Sequence, residues 1–60
     1  MIVDGLLHFV FTYVFQGLEQ YVHQMDIFAH DAKSADWEFR TKMVNAPRYE
    51  ILNITIKDQN

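Results

Sequence analysis

The sequence predicts an α+β fold: a long N-terminal amphipathic helix over about residues 4–32, then a β-hairpin with strands at about 36–44 and 49–57. Three observations carry this. Leu7, Phe11, Val14, Leu18, Tyr21, Met25 and Phe28 recur at alternating spacings of four and three, the heptad seam of a helix packed on one side. His8, Thr12, Gln16, Glu19, His23, Asp26 and His30 form a complementary stripe that is polar throughout. Beyond Asp36 the hydrophobic period changes to two, the period of a half-buried strand.

Each element has its own local support. Asp4 is placed to cap the helix, since its carboxylate accepts orphan backbone N–H bonds. Lys33 suits the negative end of the helix dipole, and Ser34, Ala35 and Asp36 read as the exit turn. A rival reading exists for Leu6 to Phe15, which is rich in β-branched and aromatic residues. There residues 6–15 form a first strand and Gly17 begins a shorter helix, giving strand–helix–strand–strand. In the second half, Asn45, Ala46, Pro47 and Arg48 make a turn signal between two alternating runs. A four-residue loop opposes Trp37 to Ile56, Phe39 to Ile54 and Thr41 to Leu52. That register gathers the apolar residues on one face, and a one-residue slip would turn them to water.

Size and charge limit what the chain can do. Sixty residues suit a single small domain, 1–60, of marginal stability. No cysteine is present, which excludes disulfides, thiolate metal sites and cysteine nucleophiles and favours a cytoplasmic setting. The first 32 residues hold Asp4, Glu19, Asp26 and Asp31 and no Lys or Arg; all five basic residues follow. Leu6 to Phe15 is about half the ~20 apolar residues of a membrane span. Asp4 stands where a signal peptide would be basic. Neither a span nor a secretion signal is expected.

Apolar residues outnumber what this architecture can bury. Val3, Leu6, Phe9, Val10, Tyr13, Phe15 and Ile27 fall outside the seam, and a two-stranded ribbon covers one helix face only. The expected resolution is a homo-oligomer, and the expected function is a non-enzymatic protein-interaction module: a small inhibitor, adaptor or regulatory subunit. Its surface is Leu6, Phe9, Val10, Tyr13 and Phe15, or the hairpin edge. No enzyme activity and no cofactor is expected, and neither nucleic acid nor membrane is the expected partner.

Two alternatives come from other residues. Glu19, His23, Asp26 and His30 would share one helix face and are metal-ligand types, so an oligomeric metal- or ligand-binding protein is the second reading. His23 and His30 would lie two turns apart, too far for one ion, and a second chain would have to complete the shell. The third is a nucleic-acid-binding dimer using Arg40, Lys42 and Arg48 on the hairpin. The acidic balance of the chain opposes it.

Overall fold

The computed structural model describes residues 5–57. It corrects the expected architecture. The order is β1 (Leu7–Phe15), β2 (His23–Ala29), α1 (Ala32–Lys42) and β3 (Tyr49–Lys57). The strands form one antiparallel sheet in the order β2-β1-β3. There is no long N-terminal helix, and residues 36–44 are not a hairpin strand. The rival reading has its first strand, residues 6–15, in β1 but fails after it, because a second strand, not a helix, follows the first. Asp4 and Val3 lie outside the described residues.

Central position explains β1. The strand has a neighbouring strand on each edge, whose side chains crowd it on both faces, and it reads as a nearly continuous apolar run. Phe9, Phe11 and Tyr13 are buried on one face, Val10 and Val14 on the other. A segment apolar at nearly every position fits any period, so the heptad seam ran through it by coincidence. The chain reverses at Gly17, whose φ of +87° lies where side-chain-bearing residues are strained. Two successive turns follow: the Leu18 N–H donates to the Phe15 carbonyl and the Tyr21 N–H to the Leu18 carbonyl, both at 3.0 Å. The Glu19 carboxylate accepts from the Gly17 N–H at 3.0 Å. That bond holds the carboxyl below its ordinary pKa.

The helix starts where the expected helix was to end. Asp31 is its N-cap, extended at φ −153°, and its side chain accepts from the Ser34 N–H at 2.7 Å. Within α1, Arg40 pairs with Asp36 one turn earlier at 2.9 Å. Arg40 and Lys42 also place positive charge in the last turn, where it complements the negative end of the dipole. Ala35, Phe39 and Met43 recur every four residues and are all buried. This stripe overrides the alternation of Trp37, Phe39, Thr41 and Met43, and Trp37 is left 70% exposed. Pro47 follows the helix end, in keeping with its inability to continue one.

Phe39 is the hub of the core. Its ring stacks on Phe11 with centroids 4.5 Å apart and planes 7° from parallel. It meets Tyr13 edge-on at 5.4 Å and Tyr49 at 5.6 Å. Phe9, Ile27, Ala29, Ala35 and Met43 complete the buried cluster. Tyr49–Lys57 is extended at the boundaries expected of it, but its partner is β1. Strands β2 and β3 both run antiparallel to β1, so they are parallel to each other with β1 between them. Helix α1 makes the crossover, a split βαβ arrangement.

Two predictions follow from the packing. Phe39→Ala removes the hub and should destabilise the fold by about 3–5 kcal/mol, whereas Trp37→Ala should stay within about 0.5 kcal/mol; urea denaturation reads both. The second concerns acid. The bond from Ser34 holds the Asp31 carboxyl below its ordinary pKa, so its ionised form is favoured by folding. Its contribution is complete above the unfolded-state pKa and is lost as pH falls through the lower folded value. Melting temperatures of wild type and Asp31→Asn should therefore differ at pH 7 and converge toward pH 2.5.

Candidate functional site

The helix side of the sheet is only partly covered. Strand β3 faces β1 with Phe15 opposite Tyr49, Phe11 opposite Ile54 and Phe9 opposite Ile56. Facing residues share a face, so Ile54 and Ile56 point to the same side as the buried Phe9 and Phe11. Yet Ile54 is 45% and Ile56 56% exposed. The reason is the reach of α1, which packs against β2 and β1 and touches the start of β3 through Phe39 on Tyr49. Tyr49 and Ile51 are half-buried against the core; from Leu52 onward the strand is exposed.

The register slips between Thr12 and Tyr13, which face Asn53 and Ile51. Leu52 is the extra residue of a β-bulge and is 50% exposed. Below the bulge, Asn53, Thr55 and Lys57 face Thr12, Val10 and His8 on the reverse side. Above it, Glu50 faces the buried Val14 and shares that reverse side. The result is an edge strand with Ile54 and Ile56 exposed along one side, polar residues along the other, and the exposed Leu52 at the bulge. Its outer backbone N–H and C=O groups have no neighbouring strand among the described residues. Such an edge is a template for another chain.

The reverse face is different in kind. His8 stacks on Phe28 with centroids 4.4 Å apart, and the Asp26 carboxylate accepts from His8 Nε2 at 3.0 Å. Gln24 Nε2 donates to Thr12 Oγ1 at 3.5 Å. Val10, Gln24, Asp26, Thr55 and Lys57 line a shallow hollow of about 180 Å³. A larger depression of about 540 Å³ runs along α1, lined by Lys33, Ser34, Asp36, Trp37, Glu38 and Arg40. One helix flank supplies all of its lining, so it is an open surface with no opposing wall.

The residues singled out in the sequence fall as follows. Of the expected interaction surface, Phe9, Val10 and Tyr13 are buried at 1%, 8% and 8% exposure, Phe15 packs against the core, and Leu6 is half-buried. The four metal-ligand types are dispersed, because strand geometry sends odd and even residues to opposite faces. Glu19 is in the turn. His23 sits against Tyr13 at 5.5 Å and Phe15 at 5.2 Å. Asp26 is on the reverse face with His8, and His30 Nδ1 donates to the Gly5 carbonyl at 3.1 Å. Among the described residues no three His, Asp or Glu side chains are grouped to hold a metal. Arg40 and Lys42 belong to the last turn of α1 and Arg48 precedes β3, where its carbonyl accepts from the Gln16 N–H at 2.9 Å. These three cations form no stripe on a ribbon. No described helix is long and apolar enough to cross a membrane.

The exposed strip on β3 was not singled out in the sequence. The period-two pattern of 49–57 contained it, but that pattern implied a buried face. No family model matches the chain, and no curated protein or solved structure matches it.

Proposed function

We propose that this chain is a non-enzymatic protein-interaction module that works by strand addition at the outer edge of β3. One observation supports this most directly: Ile54 and Ile56 are about half exposed on the side of the sheet that carries the core, beside a bare edge. An incoming extended segment would take up the outward backbone groups of β3. Its alternate side chains would rest beside the isoleucines, as in β-augmentation, where main-chain bonds give affinity and side-chain contacts give selectivity. The chemistry of the partner follows: an extended peptide with apolar residues at every second position. Inhibitor, adaptor and regulatory subunit in the cytoplasm all use such a contact. The expected metal and nucleic-acid readings lose support here, because their residues do not converge.

Titration of the isotope-labelled chain with a synthetic peptide alternating Ile and Thr tests the reading. Backbone shifts concentrated in 52–57 are expected, and Ile56→Pro, which stiffens the strand and removes an outward N–H because Ile56 faces Phe9, should weaken binding about tenfold or more. Shifts centred on the Trp37 flank of α1, or no binding in the millimolar range, would overturn it.

A further inference from the structure

Resting on the strand-addition reading, we propose that the partner at β3 is a second copy of this chain, joined antiparallel about a two-fold axis into a six-stranded sheet. Charge placement supports this occupant and this direction. Glu50 stands near the start of β3 and Lys57 at its end, and both lie on the reverse face, opposite Val14 and His8. Parallel joining would set Glu50 against Glu50 and Lys57 against Lys57. Antiparallel joining brings each Lys57 beside the partner's Glu50, and opposite charges across strands stabilise a pair whereas like charges oppose it.

Symmetry and side-chain type agree. A two-fold axis perpendicular to the sheet makes one residue face its own copy. With Ile54 in that place, Asn53 faces the partner's Thr55 and, past the bulged Leu52, Ile51 faces the partner's Ile56 and Glu50 the partner's Lys57. The apolar strips meet on one side and amides meet hydroxyls on the other. The bulge at Leu52 matters here. By inserting one residue it keeps Glu50 on the same face as Lys57, which strict alternation over seven positions would not do. The same axis leaves both helices on one face of the joined sheet, so the bare strip of each copy lies beside the other. The second edge strand, β2, offers no equivalent: its outward-facing residues include Gln24 and Asp26, and its inward side is under α1.

Sedimentation equilibrium of the full chain from micromolar to millimolar concentration gives the test. A mass that rises from 7.1 kDa to twice that value is expected. Ile54→Lys, which places two like charges at the axis, should raise the dissociation constant by about tenfold or more. Glu50→Lys and Lys57→Glu should each weaken the dimer by a factor of about two to five, and the double exchange should restore it. A monomer at all concentrations would overturn the proposal. So would a dimer indifferent to Ile54→Lys, or one whose charge exchange gives no recovery while circular dichroism shows each variant folded. Peptide binding at β3 by a strictly monomeric chain would refute the self-pairing alone and leave strand addition standing.

Discussion

Phe39 lying flat on Phe11 fixes where the helix sits, and the rest of the molecule follows from that placement. A helix with its side chains is about 10–12 Å across, and neighbouring strands are about 4.8 Å apart. One helix therefore covers about two strands. Centred near Phe11 and leaning to Ile27 and Ala29, α1 covers β1 and β2. Its eleven residues extend about 16 Å, roughly half the length of a nine-residue strand. Tyr49 and Ile51 reach the core at one end of β3; Leu52, Ile54 and Ile56 do not. The bare strip is thus a consequence of using one short helix over three strands.

The reverse face shows how a chain of this size manages without a second layer. Val10 and Val14 are nearly inaccessible although no helix covers them. Facing residues of the neighbouring strands flank them: Asp26 and Thr55 beside Val10, and Glu50 beside Val14. The His8–Asp26 and Gln24–Thr12 bonds tie β1 to β2 across this wet face. Among the described residues, no buried side-chain polar atom lacks a partner. A polar face shielding two valines leaves one aromatic cluster on the other side to supply most of the apolar burial. That makes the fold sensitive to Phe39 and tolerant at Trp37.

How much of this was legible in the sequence depended on the residue. Alternation in Tyr49–Lys57 reports an extended segment, and it is one. Leu6 to Phe15 gives no such signal, because a central strand is apolar on both faces and satisfies a helical seam as well as a strand. Its neighbour β2 then extended the false seam through Met25 and Phe28. The helix left two local marks, the Asp31 cap with Ser34 three residues on and the Ala35–Phe39–Met43 spacing. Trp37 beside Phe39 imitated a strand and masked them. The candidate metal face of Glu19, His23, Asp26 and His30 existed only on the helical reading and dissolved with it. The surplus of apolar side chains was real, but the sequence located it in residues 6–15. Only the width of one helix against three strands reveals that the surplus lies on β3.

Strand addition depends on the outer edge of β3 being open within one chain. Residue-resolved amide hydrogen exchange at high dilution tests it most directly. Slow exchange is expected throughout the middle of β1, which is bonded on both sides, and alternating fast and slow amides along 52–57, with the fast set becoming protected as concentration rises. Uniform protection of 52–57 at high dilution, as strong as that of β1, would mean that the edge is covered within the chain and would contradict it.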